Sequence, residues 1–101
     1  MESMIQSINL ISTNPTVRNG RPCIAGTSIE VSIIVTSKIV QGLELDEIAA
    51  DYDLSLAQVY AAMAYYYENK SSIDASLDER RKLAQKMKEG RVGSQHSPLF
   101  R

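Results

Sequence analysis

The chain has 101 residues, 44% of them hydrophobic and 23% charged, with a formal net charge of −1. That length supports one modest core and excludes a second globular domain of ordinary size. A single cysteine excludes an internal disulfide, and one histidine beside one cysteine cannot supply a zinc site of the His/Cys type. No apolar run reaches bilayer length, and Met1-Glu2-Ser3-Met4 lacks the basic start of a signal peptide, so a soluble cytoplasmic protein is predicted.

Charge is unevenly spread. Residues 1–42 balance to +1, residues 43–74 to −6 and residues 75–101 to +4. The middle is read as a solvated acidic face. The basic C-terminal segment points to a partner.

In chain order, residues 8–12 form a first short strand that stops at the turn cluster Ser12-Thr13-Asn14-Pro15. Residues 16–30 predict a β-hairpin, because Gly20 and Gly26 fall where the chain must turn and Pro22 belongs at a strand edge. Residues 31–41 are rich in β-branched side chains, yet their length and the following Gly42 predict a largely buried helix. Residues 45–52 predict a short helix with acids in its first turn, broken at Asp53-Leu54. A helix over 56–70 opens at the capping box Ser55/Gln58, with Leu56, Val59, Tyr60, Met63 and Tyr67 as its apolar face. Ser76 and Glu79 predict a second capping box, opening a helix over 77–89 that Gly90 ends; residues 92–101 are read as extended or disordered when alone. The fold class is mainly α with a small β-element. A winged helix-turn-helix-like trihelical domain (1–74) precedes a basic helix and tail (75–101).

Glu47 to Met63 has helix-turn-helix spacing, with small Ala49 at the crossing and Val59 and Ala62 facing inward. The same pattern serves a trihelical core with no DNA role. If DNA is read, Gln58 and Tyr65 lie on the recognition helix, and Arg18 and Arg21 on the hairpin contact phosphate. No Lys or Arg lies on the helix pair before Lys70, so by itself it is a poor DNA binder. Cys23 is read as a small buried hydrophobe, and His96 as inert. The acids at 43–53 have no histidine, nucleophile–base pair or phosphate loop beside them, so an enzyme is not expected.

Asn14-Pro15, the run Gly20-Arg21-Pro22-Cys23-Ile24-Ala25-Gly26-Thr27-Ser28-Ile29, Gly42, Asp46-Glu47-Ile48 and Ala61-Ala62-Met63-Ala64-Tyr65-Tyr66 together resemble the domain-of-unknown-function four-three-three family of short prokaryotic proteins. The resemblance covers about residues 8–70. It departs at Asn14, where Asp is usual, at Ser28, where Arg is common, and at Cys23, where the site is usually aliphatic. Members of the family are widely read as VapB-like antitoxins encoded beside a PIN-like ribonuclease toxin. The resemblance therefore implies a winged-helix-like fold, a homodimer, and binding of the operon's own promoter.

PIN-like nucleases hold a metal with clustered carboxylates, so the implied partner has a strongly negative site. The basic segment is then the toxin-binding region. Leu83, Met87, Leu99 and Phe100 would be buried against the toxin, while cations drawn from Arg80, Arg81, Arg91 and Arg101 pair with its carboxylates. The expected function is that of an antitoxin, with no cofactor, no metal and no small-molecule substrate. A stand-alone helix-turn-helix regulator is the alternative, and an oligomeric adaptor a third reading.

Overall fold

In the computed structural model, which describes residues 2–4 and 6–95, Ile11–Ser12 (β1) and Cys23–Ile24 (β2) form an antiparallel pair, with Ile11 opposite Ile24 and Ser12 opposite Cys23. The amide of Ala25 donates to the Leu10 carbonyl at 2.8 Å and extends the pairing by one bond. On its other side β2 meets the chain again. Cys23 bridges Glu30, and the Ile24 amide donates to the Ile29 carbonyl at 2.9 Å. The hairpin predicted over 16–30 is thus corrected. Its turn exists between Ile24 and Ile29, but the strand that completes the ladder is β1, separated from β2 by ten residues, and Arg18–Gly20 is a 3-10 turn. Strands of two residues leave no periodicity to read, and their pairing is a tertiary event.

Helix α1 spans Val31–Val35 and runs on as a wider π-helical turn, Thr36–Val40, before Gly42 at φ 74 reverses the chain. The predicted helix over 31–41 is there, but it is not uniform and not buried throughout. Val31, Ile34 and Val35 are in the core, whereas Ile39 and Val40 are exposed. The Gln41 amide bonds to the Thr36 carbonyl at 3.1 Å, five residues back, which is the wider spacing a π turn requires.

Helix α2 (Leu45–Tyr52) starts as expected and gains a bond not foreseen: Glu47 Oε1 accepts the Glu44 amide at 2.8 Å. It ends at Asp53, which sits in the left-handed region at φ 54, a conformation Asp tolerates better than most residues. Helix α3 (Leu56–Glu68) opens at the predicted capping box: Ser55 Oγ accepts the Gln58 amide at 3.1 Å and Gln58 Oε1 accepts the Ser55 amide at 2.8 Å. Its buried face is Val59, Ala62, Met63 and Tyr66. The predicted face was therefore only half right: Leu56, Tyr60 and Tyr67 point outward at 46%, 56% and 62% exposure. Helix α3 packs on α1, α2 and both strands, and the fully buried Ile24, Ile34, Ile48 and Val59 form the centre of this mostly α domain.

The chain divides between Asn69 and Lys70 into two compact units. The second contains helix α4, Lys70–Gln95. Two expectations fail here. Ser76 and Glu79 do not cap a new helix, because the helix has already begun at Lys70 and the amides there belong to its interior. Gly90 does not end it either. It lies inside the helix without a positive φ, at a cost of about 1 kcal/mol relative to alanine. Residues 92–95, expected to be extended, continue the helix, while the predicted tail from His96 to Arg101 lies outside the described residues.

Candidate protein-binding surfaces

The glycine-punctuated loop was the first candidate site, through Arg18 and Arg21. Both arginines are engaged by the loop itself. Arg21 makes a two-pronged pair with Glu30, Nε to Oε1 at 3.0 Å and Nη2 to Oε2 at 3.3 Å, and the Glu30 side chain is only 6% exposed. Ser32 Oγ donates to the same carboxylate at 3.0 Å. Arg18 donates from Nε to the Ser28 carbonyl at 3.0 Å. Thr27 fastens the turn, its hydroxyl donating to the Ile24 carbonyl at 2.8 Å and accepting the Ile29 amide at 3.0 Å. Arg21 would have to give up its carboxylate to reach phosphate.

Cys23 lies beneath this loop, 3% exposed, with Sγ 3.4 Å from the Arg21 carbonyl. Burial, reinforced by the Glu30 carboxylate, pushes its thiol above the ordinary range. At neutral pH the group is a covered, protonated thiol. Alkylation by iodoacetamide is therefore expected to be far slower than that of a small free thiol and to become fast in urea. Rapid modification of the folded protein would show that the loop does not cover Sγ.

The residues predicted to read DNA lie on α3. Gln58 is committed through its carbonyl to the Ser55 cap, and Tyr65 is half-buried. Between Ile39 and Asn69 there is no Lys or Arg, while Asp46, Glu47, Asp51 and Asp53 are exposed on and after α2. The outward side of α3 is instead apolar and aromatic. Leu56, Tyr60 and Tyr67 lie at spacings of four and seven, with exposed Ala64 between the tyrosines. The Tyr67 ring is braced by buried Tyr66, the two centroids lying 5.2 Å apart with the rings tilted by 55°.

Helix α4 presents a different surface. Leu83 and Met87, one turn apart, are 57% and 61% exposed. Leu83 borders a shallow, mostly apolar trough whose rim includes Arg80, Lys82 and Lys86 together with Glu79 and Glu89. Asp78 gathers two of the helix's cations, Lys82 at 3.0 Å and Arg81 through Nη2. Among the described residues Lys86 and Lys88 have no carboxylate partner. Of the predicted toxin-binding set, Arg80, Arg81, Leu83 and Met87 thus lie on one helix. The Arg91 side chain and all of Leu99, Phe100 and Arg101 lie outside what is described.

Hydrogen bonds from Lys82 and then Arg81 hold the Asp78 carboxyl below its ordinary value of 3.8. A carboxylate whose folded pKa is lowered adds stability above its unfolded value and loses it as pH falls through the folded one. The helicity of α4 should therefore be constant above the usual carboxylate range and decline in acid below it. A pH titration of the far-ultraviolet circular dichroism, compared with Asp78→Asn, measures this. The variant should lack that part of the acid transition.

Residues 11–66 match the family model described as "Protein of unknown function (DUF433)". The chain belongs to this family. A crystal structure of a DUF433 member protein from Anabaena variabilis is similar in fold, with a TM-score of 0.64 and 32% identity over 69% of each chain. No curated protein matches the sequence. The DUF433 segment runs from β1 through the loop, α1 and α2 into the last turn of α3, and it stops before α4.

Two features of the DUF433 segment are poorly marked in the sequence. Glu30 was not recognised as the loop's anchor, although an acid directly before a buried apolar helix is a signal that it needs a cation. The exposed side of α3 was assigned to the core, because a helix apolar on most sides offers several stripes of equal periodicity. Among the described residues no group of His, Cys, Asp and Glu is arranged to hold a metal, and no helix is long and apolar enough to cross a membrane.

Proposed function

We propose that this DUF433 protein is the antitoxin of a toxin–antitoxin pair, and that α4 captures a nuclease whose active site is lined with carboxylates. The observation that carries this is the pairing of exposed Leu83 and Met87 with Lys82, Lys86 and Lys88 on helix α4 of the second compact unit. An apolar stripe bordered by cations suits a partner with an apolar groove beside a negative site. Burial of the stripe supplies affinity, and the cations supply steering and register. In this role the chain is a binding module and carries out no chemistry of its own. The PIN-like identity of the nuclease comes from the family resemblance.

Promoter binding has weaker support. The face of α3 that would enter a groove holds leucine, alanine and tyrosine, and the arginines of the loop are engaged. DNA binding, with Arg18 and Arg21 on phosphate and Gln58 and Tyr65 on the recognition helix, therefore stands as the secondary reading. Its signature would be an operator affinity that falls steeply with salt.

The direct test is co-expression of the full chain with the product of the adjacent reading frame. Co-purification of a carboxylate-site nuclease is expected. Recovery of the two proteins separately, at low salt and at equal expression, would overturn the proposal.

A further inference from the structure

The exposed side of α3 needs a cover, and its surroundings restrict what that cover can be. Leu56, Tyr60 and Tyr67 are each about half or more exposed, and the stripe is bracketed by Asp51 and Asp53 at one end and Glu68 at the other. Pairing α3 with α3 of another copy is disfavoured in either direction. An antiparallel pair sets Asp53 against Glu68 twice, and a parallel pair sets each acid against its own copy. The occupant must be apolar along one face and basic beside it.

The chain carries such an element. On α4, Leu83 and Met87 repeat the one-turn spacing of Leu56 and Tyr60, and Lys82, Lys86 and Lys88 are placed beside them. Leu56 and Tyr60 on the one helix and Leu83 and Met87 on the other are each about half or more exposed. We infer that the acidic, aromatic face of α3 in one copy receives the basic amphipathic helix α4 of a second copy, and that the exchange is reciprocal. A two-fold arrangement uses both surfaces of both copies and closes on itself. With side chains of roughly 200 Å² each and about half of that exposed, the two contacts cover on the order of 1,000 Å² of apolar area, the scale a specific interface requires. The docking needs no nuclease. A nuclease bound to α4 would compete with the second copy for the same helix.

Sedimentation equilibrium of the purified full chain tests this without any toxin present. The wild-type protein should be a dimer whose dissociation constant rises with salt. Lys86→Glu with Lys88→Glu should raise that constant about tenfold or more, and so should Asp51→Lys with Glu68→Lys. The fourfold variant carrying both swaps should regain the dimer, because opposite charges again face each other, and this recovery excludes misfolding as the cause of the earlier losses. A wild-type monomer, pairs of variants that dimerise as the wild type does, or a fourfold variant that stays monomeric would each overturn the inference.

Discussion

Replacing Leu83 and Met87 together by aspartate is expected to weaken nuclease capture by about a thousandfold while leaving the DUF433 segment folded. Each side chain is more than half exposed and stands on a helix outside that segment, so its removal costs the domain little. In a complex each would be withdrawn from water, worth about 1.5–3 kcal/mol apiece, and three tenfold steps in affinity correspond to about 4 kcal/mol. The new carboxylates would also face a site that already carries negative charge. Circular dichroism separates this effect from loss of α4, because aspartate lowers helix propensity by roughly half a kilocalorie per mole or more per site. A double variant that keeps its helicity and binds within threefold of the wild type would show that the stripe is not the contact.

The second large effect is expected at Glu30. Glu30→Ala should destabilise the first unit by about 2–3 kcal/mol, at the lower end of what breaking a buried pair costs, because the Arg21 side chain is 32% exposed and recovers some hydration. The loss is more than one ion pair. Arg21 and Ser32 both use this carboxylate, and the segment around it links β2 to α1 through the Val31 amide bond to the Pro22 carbonyl at 2.9 Å. Glu30→Gln keeps an acceptor for both donors and should lose about half as much. Urea unfolding monitored by tyrosine fluorescence gives both values. Equal stability of Glu30→Ala and the wild type would mean the pair contributes nothing net, as solvent-exposed pairs often do.

These outcomes reflect how unevenly the fold was legible. Helices α2 and α3 were readable because their ends are chemically marked: acids in the first turn, the Ser55/Gln58 box, and an aspartate that accepts the left-handed turn at position 53. Local signals of this kind act within four residues and need no tertiary partner. Pairing of Ile11–Ser12 with Cys23–Ile24 has no such local signal and depends on the loop that Arg21, Thr27 and Glu30 tie together. At α3 the sequence offered two apolar stripes. The buried one contains Ala62, where a small side chain lets a neighbouring helix approach, and the one left outside contains the bulky Tyr60 and Tyr67. At α4 the Ser76/Glu79 motif was present but overruled, because a capping box only has work to do where a helix begins.

The candidate surfaces followed the same division. The basic character of residues 80–88 was plain from composition, and Leu83 and Met87 lie on α4 among those cations. The engagement of Arg18 and Arg21 was not plain, since Glu30 and the Ser28 carbonyl lie nine and ten residues away in sequence. Both arginines also fasten the loop.

Titration of the partner nuclease with the purified full chain, followed by the rate of cleavage of a fluorescent RNA, tests the antitoxin proposal most directly. Stoichiometric inhibition by the wild-type chain is predicted, with inhibition by the Leu83→Asp, Met87→Asp variant shifted to about a thousandfold higher concentration. Full nuclease activity in the presence of excess wild-type chain, or equal inhibition by the two proteins, would contradict it.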